Sequence, residues 1–403
     1  MSQKFLDLAG LTTYDRKLKE WFKSGVVDIA GDAIRTLFVT IEKGPADNEI
    51  WYTTSDGGII TPDLIGSNII SNTYQNGKGV IKFDNIVTGI GDWAFNFCPS
   101  LTSVTLPNSV TSIGNGVFNF CSFISSIVIP NSVTSIGETL FYSCNSLTSI
   151  DVEKENKTYD SRENCNAIIE TASNTLISGC QTTIIPNSVT SIGDGAFHGC
   201  SSLTSLIIPN SVTSMGNMIF QDCTSLTEII ISNKVANIGV DTFFGCSSLT
   251  SVTIPDSVTN IERTAFRNCS SLTSVVIGNS VVSIGEGAFW GCSSLPSVVI
   301  PNSVTIIGDD AFEECYSLTS VNIPNNVTSI GHRAFQYCTS LTSVTIPNSV
   351  TSIGNSAFSR CSYIDSITFN GTVKEWDAIT KYDYWNDQIQ ATYVQCTDGQ
   401  VAL

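Results

Sequence analysis

The chain has 403 residues, 42% of them hydrophobic and only 14% charged, so it is long enough to bury a large core. A formal net charge of −17 argues against a nucleic-acid partner, which needs clustered Lys and Arg, and disfavours an anionic membrane surface. No apolar run of about 18 residues occurs, so no membrane insertion is expected.

Residues 1–78 carry no repeat and read as an N-terminal attachment region. Met1 to Val26 contains Asp7, Asp15, Arg16, Lys17, Lys19, Glu20 and Lys23 and lacks the uninterrupted apolar core of a secretory signal. Thr13 can cap a helix in which Tyr14, Leu18, Trp21 and Phe22 share a face. Packing against the chain's own strands would satisfy that stripe, and so would self-association or docking to a larger assembly. Thr36 to Ile41 and Glu49 to Thr54 have strand composition, and Ser55-Asp56-Gly57-Gly58 is a turn.

From residue 79 to 370 a constant period takes over. Cys200, Cys223, Cys246, Cys269, Cys292, Cys315, Cys338 and Cys361 recur every 23 residues, the mark of a solenoid whose units bury their apolar faces only by stacking. In the unit Ser202 to Thr224, Leu203, Leu206 and Ile208 follow the L-x-x-L-x-L pattern of a leucine-rich-repeat strand. Pro209, Pro255, Pro301, Pro324 and Pro347 lack an amide proton and should stop the strands in register. The expected fold is therefore a β-rich leucine-rich-repeat solenoid with a parallel sheet on one face.

Gly193, Gly216, Gly239, Gly285, Gly308, Gly331 and Gly354 supply a permissive residue before a short helical or 3-10 turn carrying Ala-Phe; Glu262 breaks the column and implies a distorted turn. Phenylalanine also steps by 23 and predicts a stacked aromatic spine. Eleven of the fourteen cysteines hold one phase and are expected to face inward as thiols. Cys165, Cys180 and Cys396 lie off that phase, and a Cys165 to Cys180 bridge is left open. From Cys144 to Cys200 the gap is 56 rather than 46, which implies an enlarged, irregular coil at 151–185. Residues 371–403, with Trp376 and Trp385, read as a C-terminal cap over an otherwise open coil.

The recurring sentence I-P-N-S-V-T-S-I-G-x-x-A-F-x-x-C-x-S-L-T-S-V resembles the BspA-like leucine-rich repeats found in many bacterial surface proteins and some protozoan ones. The resemblance implies adhesion or recognition through the solenoid, although members of that class bind different partners. The opening Phe5-Leu6-Asp7-Leu8-Ala9-Gly10-Leu11-Thr12 is similar to the start of some tail-associated proteins of gut phages, which implies display on a virion.

Two surfaces could bind. On the strands, a nearly all-serine column includes Ser251, Ser274, Ser297, Ser320 and Ser343. It reads either as a ladder of small residues suited to a sheet or as a docking face built from many weak contacts. Between Ala-Phe and the cysteine, Phe97, Phe120, Tyr142, Phe244, Trp290 and Tyr337 place large rings on a variable ridge. Partial burial against neighbouring turns and contact with a ligand both account for them.

Only His198 and His332 are available for acid–base work, and His198 stands beside a cysteine whose phase points inward, so no catalytic residues are expected. Asp309, Asp310, Glu313 and Glu314 cluster without the spacing of a calcium loop, and no C-x-x-C pair exists, so no metal or cofactor is assigned. The reading is a non-enzymatic recognition protein for a protein or glycan, displayed on a bacterial surface or phage tail by a non-standard route. The alternative is an intracellular, cytoplasmic scaffold for other proteins.

Overall fold

The computed structural model describes residues 44–62 and 67–403. The chain divides into two compact units at Gly44/Pro45, and the second, Pro45 to Leu403, is described below. The expected Thr13 helix and the Thr36 to Ile41 strand lie outside the described residues.

Each coil carries two parallel ladders. The expected strands, such as Ser251–Thr253, Ser274–Val276, Ser297–Val299 and Ser320–Asn322, pair in register with serine opposite serine. The side-chain period of two turns the middle residue inward: Val252, Val275, Val298 and Val321 are buried while the flanking Ser and Thr or Val are exposed. A second ladder, unanticipated from the sequence, forms at the Thr-Ser-Ile-Gly segment. There two-residue strands such as Ser283–Ile284, Ile306–Ile307 and Ser329–Ile330 stack, each burying its second residue, an isoleucine. Threonine hydroxyls reinforce the stack by donating one coil back, as Thr227 Oγ1 does to Thr204 O at 3.1 Å.

The glycine before the turn works by close approach rather than by unusual dihedral angles. A Cβ at Gly331 would stand 2.4 Å from the carbonyl carbon of Gly308, and one at Gly354 would stand 2.5 Å from the His332 nitrogen. Glu262 does not distort its turn: its amide donates to Ile238 O at 2.9 Å, the same bond that Gly285 makes to Ile261 O at 2.8 Å.

Phenylalanine forms the expected spine. Phe197 to Phe358 stack with centroids 5.0 to 5.4 Å apart, and Phe358 meets Trp385 edge-on at 6.5 Å, so the tryptophan closes the column. Cys165 and Cys180 are both free thiols, so the bridge left open by the sequence does not form. Of the eleven in phase, ten are buried and Cys200 is half-buried.

At the N-terminal end, β1 (Glu49–Thr54), β2 (Ile69–Gln75) and β3 (Lys78–Phe83) form an antiparallel sheet. Its order is β2-β3-β1, and β1 then pairs antiparallel with the first solenoid strand, Leu101–Thr105. Position 78 is thus the first residue of β3, and Ile50, Tyr52, Ile81 and Phe83 join the core of the first coils. Covering the first coil in this way protects its open strand edge. At the other end the helix Val373–Ala378, with a capping box between Thr372 and Glu375, buries Trp376 against Phe369 and Trp385. The hairpin Tyr393–Gln395 with Gln400–Ala402 then terminates the main sheet.

The enlarged coil holds Tyr159–Asp160, Ala167–Glu170 and Thr175–Gly179 as an antiparallel meander whose last strand joins the second ladder at Ser191–Ile192. Around it the apolar interior separates into two clusters, one ending at Cys180 and the other beginning at Cys165.

Candidate recognition surface

Opposite the strands lies the ridge, and its backbone is not helical. In the turn around Phe266, alternate amides point along the stack: Thr264, Phe266 and Asn268 donate to Glu286, Ala288 and Trp290 of the next coil at 2.7 to 2.8 Å. The intervening amides of Ala265, Arg267 and Cys269 close local turns onto Glu262, Thr264 and Phe266. Two positions per turn consequently adopt left-handed dihedrals, here Thr264 (φ 53°) and Asn268 (φ 60°). A helix would direct every amide along its own axis and leave the coils unjoined. The expected short helix is replaced by consecutive turns for that reason.

The position before each of the eleven in-phase cysteines is left-handed, and Gly199, Gly245 and Gly291 fill it without steric cost. Elsewhere it holds Phe97 (φ 55°), Phe120 (φ 59°), Tyr337 (φ 61°) and Arg360 (φ 61°). Trp93 (φ 62°) takes the other left-handed position of the first turn. A bulky side chain is disfavoured in this region by about 1 to 2 kcal/mol. Phe97 is nevertheless 66% exposed and Trp93 48%, so burial offsets little of that cost.

The rings expected on the ridge fall into three groups. Phe97 stacks on Phe120 with centroids 4.3 Å apart and planes 6° apart, and Phe120 meets Tyr142 at 5.1 Å. Tyr142 then meets His198 at 4.6 Å, because the enlarged coil contributes no turn here: Ser143 N donates to Gly199 O at 3.1 Å. Tyr142 Oη donates to Asp222 Oδ2 at 3.2 Å, and His198 Nε2 lies 3.9 Å from the same oxygen. Burial, with the Asp222 carboxylate adding to it, raises the Tyr142 pKa. Burial lowers that of His198 against the pull of Asp222.

In the second group the Arg267 guanidinium lies 3.7 Å from the Trp290 ring centroid and 5.6 Å from that of Phe244. In the third, Arg360 approaches Tyr337 at 5.3 Å. Phe244, Trp290, Tyr142 and Tyr337 are half-buried, so intramolecular packing and outward presentation coexist on this ridge. Arg267 is absent from the sequence-based expectations although it holds the repeat phase of Phe244 and Trp290. A search of that column for cations as well as rings would have found it.

On the strand face Ser251, Ser274, Ser297, Ser320 and Ser343 are exposed in one column. Beside it Ile207 (63%), Val276 (56%) and Val299 (79%) are exposed as well. The two candidate surfaces are carried by different segments of each coil.

Asp310 is buried and chelated by Arg333 through Nε–Oδ1 at 2.6 Å and Nη2–Oδ2 at 3.1 Å. Glu313 is buried beside it, and burial together with the Asp310 carboxylate pushes its carboxyl up to about 7. Among the described residues no group of three His, Cys, Asp or Glu side chains is placed to hold a metal ion. Burial pushes the thiol of Cys200, beside His198, up to about 12. No helix among the described residues is long and apolar enough to cross a membrane.

The family described as a BspA type leucine rich repeat region matches residues 65–174, 177–296 and 259–386. The chain is similar to a leucine rich cell surface protein from Faecalibacterium prausnitzii, at 28% identity over 73% of this chain and 60% of that one, with a TM-score of 0.37. It is also similar to a leucine-rich repeat protein from Bacteroides ovatus, at 24% identity over 82% and 88% of the two chains, with a TM-score of 0.44. The chain thus spans less than two thirds of the Faecalibacterium protein's solved length. It matches none of the curated proteins.

Proposed function

Because the chain belongs to the BspA-type leucine-rich repeat family, we propose that it is a non-enzymatic recognition protein that binds a protein or glycan ligand through its turn ridge and is displayed on a bacterial surface or phage tail. One observation carries this reading. Phe97, Phe120 and Trp93 sit at left-handed positions where glycine costs less, and Phe97 and Trp93 are largely exposed. Stacking of Phe97 on Phe120 gives the fold part of a reason to keep these rings, and their outward exposure fits the aromatic anchors an interface uses. The serine column would act as a flat flank to the same contact, and the chain before Pro45 as the point of attachment or self-association.

The experiment is a binding screen of the full chain against glycans and extracellular matrix proteins, repeated with Phe97→Gly, Phe120→Gly, Trp290→Ala and Tyr337→Ala. Binding unchanged in all four variants removes the ridge from the reading. A second reading, a cytoplasmic scaffold, is favoured by Cys165 and Cys180, which stay free thiols in the enlarged coil, since thiols persist most readily in reducing compartments. Surface labelling of intact cells separates the two.

A further inference from the structure

Between residues 186 and 370 the cations other than histidine are Lys234, Arg263, Arg267, Arg333 and Arg360. Arg333 is neutralised by Asp310. Arg263 and Arg267 share one turn, and among the described residues neither has an ion-pair partner. The chain as a whole carries 36 carboxylates against 19 Lys and Arg, so a turn with two arginines and no ion pair stands out locally in charge. Arg267 is also held in place, because its guanidinium lies against Trp290 on one side with Phe244 on the other. Its Nε is buried without a hydrogen-bond partner, and neither Nη bonds to the protein.

We propose that Arg267, flanked by Phe244 and Trp290 and assisted by Arg263, is a recognition site for a single carboxylate, the side chain of an Asp or Glu on a protein partner. The guanidinium fork matches a carboxylate with two parallel hydrogen bonds, which a lysine cannot do. Stacking on Trp290 fixes the fork before binding, so less side-chain freedom is lost when the ligand arrives. Arg263, four residues earlier in the same turn, adds positive charge to the segment.

A protein carboxylate fits better than the two other carriers of negative charge. A sugar acid would use an open aromatic face, and here the Trp290 face is covered by Arg267 itself. A polyanion would meet the repulsion of a chain carrying −17, whereas one carboxylate in an otherwise neutral segment would not. The inference rests on the ridge being the recognition surface and names what one part of it reads.

The test uses the full chain on an array of short peptides, each bearing one central Asp or Glu and each paired with its Asn or Gln counterpart. The tightest pair is then measured by fluorescence polarisation at low and high salt. Wild type should bind the acidic member about tenfold or more tighter than its amide, with the difference shrinking in salt. Arg267→Gln should abolish that preference, Arg267→Lys should reduce it severalfold, and Lys234→Gln, an exposed cation off the ridge, should leave it intact. Thermal unfolding of each variant confirms that it is folded.

Equal affinity for acid and amide, or a preference that survives in folded Arg267→Gln, overturns the site. Peptide binding that ignores the carboxylate but is lost in Phe97→Gly also overturns it, and leaves the ridge as the recognition surface. Binding confined to neutral glycans overturns it as well and leaves a recognition role standing.

Discussion

Cys292 donates its thiol proton to the carbonyl oxygen of Phe266, one coil earlier, at 3.2 Å. The same bond recurs along the column, from Cys223 to Phe197 at 3.1 Å and from Cys361 to Phe335 at 3.0 Å. The cysteine column therefore adds a second hydrogen bond to a carbonyl that already accepts the cysteine amide of its own turn, as well as filling space. Burial pushes the thiols up, those of Cys121 and Cys315 to about 12 from an ordinary 9.0.

Stability should consequently fall in alkali. The folded state holds these protons more tightly than the unfolded one, so the full contribution is present below pH 9. It is lost as pH rises from 9 toward 12, at about 1.4 kcal/mol per pH unit for each buried thiol. Urea midpoints measured from pH 7 to 10.5 should drop steeply above 9. A flat profile would mean that the thiols are open to water.

Removing one ring from the spine should be costly. Phe289 is fully buried between Phe266 and Phe312, and Phe289→Ala should destabilise the solenoid by about 3 to 5 kcal/mol. Hydrogen exchange should show the loss concentrated in the two adjacent coils, because each repeat contacts only its neighbours.

Ridge substitutions should behave in the opposite way. Phe97→Gly removes a largely exposed ring and relieves a left-handed residue, so thermal stability should hold or rise by up to roughly 1 kcal/mol. Ligand binding should be lost in the same variant. A stability loss comparable to that of Phe289→Ala would identify Phe97 as a packing residue.

Glu313 should be a liability near neutral pH. Its carboxyl is raised to about 7 from an ordinary 4.5, so the folded state prefers the proton. That stability is complete below about pH 4.5 and disappears as pH rises through 7. Glu313→Gln should therefore raise stability at pH 8 by roughly 1 to 2 kcal/mol and change it little at pH 4.5, read from denaturant midpoints.

The 23-residue step was enough to place the strands, the Phe spine, the thiol column and the outward serines, because each is a one-residue property repeated in phase. What escaped were properties of pairs of coils. The two-residue Thr-Ser-Ile strands are too short for any periodicity to register. The glycine column looks like conformational freedom in one unit and shows itself as steric clearance only when Gly331 is set on Gly308. The turn around Ala-Phe has helical composition, yet its amides are shared with the next coil. Arg267 was passed over because its significance comes from the rings one coil on either side.

On the ridge, Ser143 hands directly to Gly199, so 56 residues of chain are bridged by a single backbone contact. A partner travelling along that edge would cross from Tyr142 to His198 over a step held by one amide bond where ordinary turns share three. The meander between them is in effect a side room off a continuous corridor, a place where sequence can be lengthened or rewritten while the outward message stays the same.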